Sequence, residues 1–272
     1  MRIQAFIFNW PGKKQHPAKL EAMFRQHCEV KVINSDDSLR ARHPHWHHIG
    51  NDSYFTDQWN AAIERFDADV FLHIQADIWP TQLGRMLPEC LRYISNFGVG
   101  VYAPNLNFTA HIFRRESLVR VNDTVYEVPT TDTSFWAITS EVIRNTPAID
   151  PEINRLGWGI DYLVSVVARR KGRKVVRDYR FTAAHLKSRG YSSAKAWRQF
   201  TEFVESLDPT LRDEINVLVK ERDRVVLNTL SRTFVERAIR DLNSSLARAL
   251  LIFQSRLESA IGPPSEEPSD SD

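Results

Sequence analysis

The first 104 residues alternate between short apolar runs typical of β-strands and segments with the apolar spacing of helices. The strand-like runs are IQAFIF (3–8), EVKVIN (29–34), DADVFLHIQ (67–75) and GVGVYAP (98–104). Between them, residues 17–27, 56–66 and 82–95 carry apolar side chains at helical spacing. Strands that alternate with helices are typical of helices packed on a mainly parallel sheet. We therefore predict an α/β fold.

Beyond residue 104 the pattern becomes less regular. The segments TAHIFRR, TVYEVP and SFWAIT are short and separated by polar turns, and they predict irregular strands. GWGIDYLVSVVARRKG (157–172) begins with two glycines around a tryptophan and continues as a helix, and KVVRDYRFTAAH (174–185) follows as a strand. In sheets of this kind, ligands bind beyond the carboxyl ends of the strands. The side chains expected to converge at that edge are Asn9, Asp36, Asp77 and His185.

Charge and hydropathy exclude several classes of protein. The 36 basic and 34 acidic residues give a formal net charge of +2, which provides no general attraction for nucleic acid. No apolar run approaches the roughly 20 residues of a membrane-spanning helix. The opening MRIQAFIFNW is too short and too soon interrupted to be a signal peptide. These features predict a cytoplasmic protein, and its two cysteines indicate neither a disulfide framework nor a zinc knuckle.

The C-terminal part predicts a helical extension at residues 197–261, following a first domain at residues 1–196. Its apolar side chains step by three or four, as on one face of a long helix: Val235, Ile239, Leu242, Leu246, Leu250, Phe253, Leu257 and Ile261. Packing on the first domain, self-association into a homo-oligomer and peripheral contact with a membrane would each cover this stripe. The acidic, proline-rich residues 262–272 are predicted to be disordered.

Asp77 ends an apolar strand in HIQADIWP (73–80), directly before a Trp-Pro turn. A carboxylate at such a position is partly exposed and can bind a hard cation through oxygen. A strand-ending aspartate that only caps a turn would show the same pattern. From its own residues, the motif leaves both interpretations open.

Several segments, taken in their order and spacing, resemble the inverting, family-two-like nucleotide-sugar glycosyltransferases of GT-A fold. That family contains cellulose-synthase-like enzymes and many bacterial polysaccharide enzymes. The segments are FNWPGK, INSDDS, WNAAIERFDADVFLHIQADIWP, TDTSFWAIT, GWGIDYLVSVVARRKG and AAHLKSRGY, which span about residues 1–191. The resemblance implies a Rossmann-like GT-A domain, flanked by helices, that transfers a sugar from a nucleoside diphosphate to an acceptor hydroxyl.

The resemblance also implies a donor site and a metal site. Asn9 and Trp10 match the family's base-contacting positions, and Asp36 or Asp37 matches the carboxylate that contacts the base or ribose. Gln-Ala-Asp matches the family's Asp-x-Asp motif, so that Asp77 would bind Mn²⁺ or Mg²⁺ together with His185. Gln75 departs from this pattern, because a neutral amide replaces the first acid.

Asp161 matches the family's catalytic base. An inverting transfer needs one carboxylate to take the proton of the acceptor hydroxyl, and Asp161 lies at a helix start behind glycines, including Gly159. Trp158 offers a flat face for a sugar ring, so Trp158 and Gly159 are predicted to contact the acceptor. The segment TDTSFWAIT would add Asp132 and Trp136; a half-buried strand with aromatic packing is the alternative for it.

Two clusters stay open between structural and functional interpretations. HPHWHH (43–48) holds four histidines, and a solvated loop near the acceptor cleft is favoured over a zinc site. Arg169–Lys174 is strongly basic, and a solvated helix end is favoured over a phosphate or polymer contact.

We predict a metal-dependent glycosyltransferase of surface polysaccharide or glycoconjugate synthesis, with a glycan or glycolipid acceptor. It would work in the cytoplasm, in solution or at the inner face of the membrane. Two alternatives are a nucleotidyltransferase, for which FNWPGKK is a poor phosphate loop, and a non-catalytic nucleotide- or sugar-binding module, which Gln75 makes plausible.

Overall fold

The structure, a computed structural model, describes residues 1–13, 16–109, 111–113, 115–185 and 192–230. Its strands are β1 (Ile3–Asn9), β2 (Glu29–Asn34), β3 (His47–His48), β4 (Val70–Gln75), β5 (Ile78–Pro80), β6 (Val99–Leu106), β7 (Val119–Arg120), β8 (Val125–Glu127), β9 (Phe135–Thr139) and β10 (Lys174–His185). Its α-helices are α1 (His16–Arg25), α2 (Phe55–Glu64), α3 (Leu83–Asn96), α4 (Ser140–Arg144), α5 (Ile160–Arg170), α6 (Ser193–Ser206) and α7 (Pro209–Leu230).

Within the described residues the strands form one mixed sheet, in the order β3-β2-β1-β4-β9-β6-β10-β8-β7. Strands β3, β2, β1 and β4 are mutually parallel, and β10 is parallel to β6. Strand β9 runs antiparallel between β4 and β6, and β5 pairs antiparallel with the end of β10. The carboxyl ends of β1, β2 and β4 therefore lie side by side at one edge.

Each face of the sheet is buried by its own set of helices. Successive side chains of a strand point to opposite faces, so Phe6 and Phe8 of β1 pack in one apolar cluster and Ala5 and Ile7 in another. The first cluster includes side chains of α2, α5, α6 and α7, and the second includes those of α1 and α3. Burial on both faces explains why these strands read as almost continuous apolar runs.

The predicted α/β fold with a mainly parallel, helix-flanked sheet is confirmed, and β2 and β10 coincide with EVKVIN and KVVRDYRFTAAH. One segment was predicted wrongly: TAHIFRR is not a strand in the described residues. Residues 109, 111–113 and 115 are in no ladder, and the side chains of Thr109 and His111 bond to Asp132 and Asp161.

Helices α6 and α7 pack against the first cluster, beside α5. Phe203, Leu211 and Ile215 are among their buried side chains. The basic end of α5 is paired with acids, since Arg169 bonds to Glu221 and Arg170 to Glu214, each at 2.7 Å. This favours the structural interpretation of the basic cluster.

None of the helices in the described residues combines the length and apolarity needed to cross a membrane. The predicted stripe from Val235 to Ile261 and the predicted disordered tail at residues 262–272 lie outside the described residues.

Candidate active site

A cleft of about 710 Å³ opens at the carboxyl edge of the parallel strands. Trp10 follows β1, Ser35 follows β2, and Gln75 and Asp77 lie at and after the end of β4. Further walls come from the connection after β6, the segment before β9, the start of α5 and the residues before it, the end of β10, and α6 and α7. They contribute Phe108, Thr109, His111, Asp132, Trp158, Gly159, Asp161, Tyr162, His185, Trp197, Phe200 and Arg222.

Asp77 and His185 face each other in this cleft. The antiparallel pairing of β5 with β10 places His185 opposite Ile78, one residue after Asp77, so that His185 Nε2 lies 3.8 Å from Asp77 Oδ2. Lys13 Nζ lies 3.8 Å from the same oxygen. Burial raises the pKa of Asp77, while His185 and Lys13 act in the opposite direction.

The chemistry of this pair fits a divalent cation. Asp77 Oδ1 is buried without a hydrogen-bond partner in the described structure. His185 Nδ1 lies 3.0 Å from the carbonyl oxygen of Phe108, which can only accept, so Nδ1 carries a hydrogen; in the neutral ring, Nε2 on the side of Asp77 is then the nitrogen with a lone pair for a metal. An imidazole nitrogen and a carboxylate oxygen suit Mn²⁺. The described residues contain no group of three or more histidine, cysteine or acidic side chains placed to hold a metal ion, so further ligands would have to be other oxygen atoms, from the protein, the substrate or water.

Asp161 lies in the first turn of α5 and is held by a histidine that sequence reasoning did not identify. His111 Nε2 is 2.7 Å from Asp161 Oδ2, and both side chains are largely buried. Because a carboxylate only accepts, the facing Nε2 carries the hydrogen. His111 lies in TAHIFRR, and its single histidine carries no signal that would point across 50 residues to Asp161.

Asp132 lies close to both histidines of the cleft. It accepts hydrogen bonds from Thr109 Oγ1 and from the backbone N–H of Ser134, each at 2.9 Å. Burial favours its neutral form, but nearby His111 and His185, together with the bonds from Ser134, lower the pKa of Asp132 below its usual value. Asp132 therefore interacts electrostatically with His111, with His185 and with Asp77.

Arg177 of β10 stabilises the connection that carries His111. Its guanidinium is buried, donates to the carbonyl oxygen of His111 and lies over the ring of Phe113. The connection that carries His111 is thereby tied to the centre of the sheet.

Trp158 and Gly159 line the cleft as predicted neighbours of Asp161, whereas Trp136 does not reach it. Trp136 is fully buried and packs against Trp59 at 5.8 Å between ring centroids. A side chain enclosed in the core on a strand buried on both faces does not reach the cleft, so the predicted contact of Trp136 with an acceptor is not supported.

Two predicted donor-binding residues, Asn9 and Asp36, are buried in the scaffold, and a third, Asp37, is exposed and paired with Arg40. Asn9 is fully buried and donates to Asn34 Oδ1 at 2.6 Å, which joins β1 to β2. Asp36 is buried and accepts from the N–H and hydroxyl of Ser38, and Asp37 bonds to Arg40 and the N–H of Asn51. None of the three lines the cleft, so their predicted contact with a base is not supported; Trp10 does line it.

The histidine-rich segment packs on α1 and does not border the cleft. His45 and Trp46 both bond to Glu21, and His43 stacks on Trp46 at 3.8 Å between ring centroids. None of residues 43–48 lines the cleft, so their predicted position beside an acceptor is not supported. These contacts give the segment a structural role that needs no zinc.

Comparison with known proteins identifies the class of fold. No protein-family model and no curated protein sequence matches the chain. Among solved structures, residues 1–349 of S. aureus TarS in complex with UDP-GlcNAc superpose with a TM-score of 0.57 at 12% identity, covering 90% of this chain and 79% of that one. GalNAc-T7 with UDP, GalNAc and Mn²⁺ gives a TM-score of 0.58 at 11% identity, covering 90% of this chain and 55% of that one. The chain has the fold of GT-A glycosyltransferases.

Proposed function

We propose that the protein is a metal-dependent glycosyltransferase that moves a sugar from a nucleoside diphosphate sugar to an acceptor hydroxyl, with inversion at the anomeric carbon. The observation that supports this most directly is the pairing of two sites in one cleft. Asp77 and His185 suit a cation beside a diphosphate, and Asp161 suits a general base. Asp132 interacts electrostatically with both.

The donor side lies at the ends of β1, β2 and β4, where Trp10, Ser35 and Gln75 line the cleft. Asp77 and His185 would hold Mn²⁺ or Mg²⁺, which neutralises the charge that develops on the departing diphosphate. GalNAc-T7, which shares the fold, was solved with UDP and Mn²⁺. Gln75 would donate its amide hydrogens to the ribose or to a water.

The acceptor side contains Asp161. In the transfer, the acceptor oxygen bonds to the anomeric carbon, the bond from that carbon to the diphosphate oxygen breaks, and the hydroxyl proton passes to the Asp161 carboxylate. His111 donates to Asp161 Oδ2 and so holds the carboxylate in one orientation. We propose a glycan or glycolipid of a surface polysaccharide or glycoconjugate as the acceptor, and a cytoplasmic or peripheral membrane location.

A non-catalytic nucleotide- or sugar-binding module is the second candidate. It is favoured by the neutral Gln75 in place of an acid and by Lys13, whose ammonium lies 3.8 Å from Asp77 Oδ2, where it competes with a metal. Such a module would bind the same ligands without turnover.

The test is thermal stabilisation by a panel of nucleoside diphosphates and their sugars, with and without Mn²⁺. A ligand at 100 times its Kd adds roughly 2.7 kcal/mol to the free energy of unfolding. We expect one nucleotide series to stabilise the protein only with Mn²⁺, and Asp77→Asn to abolish this effect. The exposed Asp123, which is paired with Arg120 and does not line the cleft, provides the matched control Asp123→Asn.

Three results would change the assignment. No stabilisation by any nucleotide would refute the donor proposal, and stabilisation that ignores Mn²⁺ would refute the metal proposal. Binding without transfer, in the wild type and in Gln75→Asp alike, would favour the binding module. A marked gain of metal-dependent transfer in Gln75→Asp would instead identify a weakened enzyme.

A further inference from the structure

Helix α6, which follows the sheet in the chain, contributes an aromatic wall to the cleft. Trp197 is 48% exposed although it is a large aromatic residue, and its ring lies 5.7 Å from that of Trp158 at an interplanar angle of 71°. The ring of Phe200 also packs against Trp197, with 5.4 Å between the ring centroids and an interplanar angle of 82°. Two indole rings at a steep angle form an apolar corner with one side open to the cleft.

The corner is held in place by close contacts between α6 and the segment before α5. Gln199 accepts a hydrogen bond from the N–H of Leu156 at 3.0 Å. Gly159 has φ +95°, and a Cβ there would lie 2.7 Å from Phe200 Cδ2, so the glycine is what allows α6 to approach. Trp197 is thus anchored next to the loop that leads into Asp161.

We infer that Trp158 and Trp197 form a subsite for a pyranose ring of a carbohydrate acceptor. The inference rests on the proposed function and specifies its acceptor: a saccharide bound through the C–H face of a ring. The electron-rich faces of indoles attract such C–H groups, and a corner of two rings covers both the face and the edge of one sugar. Trp158 lies three residues before Asp161, the proposed base.

A nucleotide base would also stack on indole, but other residues serve the donor end of the cleft. Trp10 and Ser35 line the cleft after β1 and β2, whereas Trp197 packs on Trp158 and Phe200, and Phe200 packs on Tyr162, the residue after Asp161. The corner therefore lies on the same wall of the cleft as Asp161, the proposed general base, which the acceptor hydroxyl has to approach.

The experiment measures binding of short oligosaccharides of glucose, N-acetylglucosamine, galactose and mannose by tryptophan fluorescence and calorimetry, with and without a nucleoside diphosphate. We expect at least one saccharide to bind, Trp197→Ala to weaken its affinity by roughly tenfold or more, and Trp197→Phe to retain part of it. Val217→Ala, an exposed apolar residue of α7 outside the cleft, should bind like the wild type.

Nucleotide affinity separates the two proposals. Trp197→Ala should leave stabilisation by nucleoside diphosphates unchanged; a matching loss there would assign the ring to the donor and overturn the inference. Saccharide affinity that Trp197→Ala leaves unaltered, or no binding of any saccharide, would also overturn it. Saccharide binding that depends on Trp197 in a protein that responds to no nucleotide would support the subsite and refute the transferase.

Discussion

At the scale of single residues, the feature with the clearest chemical consequence is the carboxylate of Asp161. It lines the cleft, lies in the first turn of α5 and accepts from His111 at 2.7 Å. If Asp161 is the base, Asp161→Asn removes the proton acceptor but keeps the shape of the side chain, and the rate of transfer should fall by roughly 10²- to 10⁴-fold. Steady-state kinetics measures the rate, and thermal shift should show nucleotide binding nearly intact. Retained turnover would exclude Asp161.

His111 is expected to act through Asp161, as a positioning residue. His111→Leu removes the donor and leaves the carboxylate free to rotate, so kcat should fall by roughly 10- to 100-fold with little change in the KM of the donor. His111→Gln, whose amide can still donate to Asp161, should recover part of that loss. Equal losses in both variants, or a rise in donor KM alone, would contradict the positioning role.

At the scale of elements, the close contact between α6 and the segment before α5 depends on Gly159. Gly50 has nearly the same φ, +92°, but nothing lies within 4 Å of its missing Cβ, so it is a matched control for backbone strain. Alanine at Gly50 should cost about 1 kcal/mol of stability from φ alone, and alanine at Gly159 about 3 kcal/mol, because the clash with Phe200 adds to the strain. Equal midpoints in urea unfolding would show that α6 does not press on Gly159.

At the scale of the whole molecule, residues 1–230 behave as one compact unit, since α6 and α7 share an apolar cluster with the sheet. A chain ending at Leu230 should keep the melting temperature and the nucleotide response of the full chain. A chain ending at Ser192 should lose both, because the buried side chains of α5 would be left uncovered. A chain ending at Ser192 that melts like the chain ending at Leu230 would contradict this prediction.

Self-association is tested by comparing the full chain with the chain ending at Leu230. Light scattering should show a smaller assembly for the chain ending at Leu230 than for the full chain if the predicted stripe from Val235 to Ile261 joins two copies. Identical monomers would exclude assembly through that segment.

Local pattern determined most of the elements. Period-two and helical spacing are set by neighbouring residues, so β2 and β10 were predicted to the residue and the α/β class followed from their alternation. Asp77 could be singled out for the same reason, since a carboxylate at the end of an apolar run is visible in the chain itself. The resemblance to GT-A enzymes then nominated Asp161 and His185.

Only the tertiary structure decided which side chains meet. The β5–β10 pairing brings His185 to Asp77 across more than 100 residues, and the pairing of His111 with Asp161 joins a connection to a helix start. The tertiary structure also places Asn9, Asp36 and Trp136 outside the lining of the cleft, because hydrogen bonds and core packing hold their side chains elsewhere. Contacts between distant segments depend on strand order, register and the closeness of α6, and none of these is encoded in the spacing of neighbouring residues.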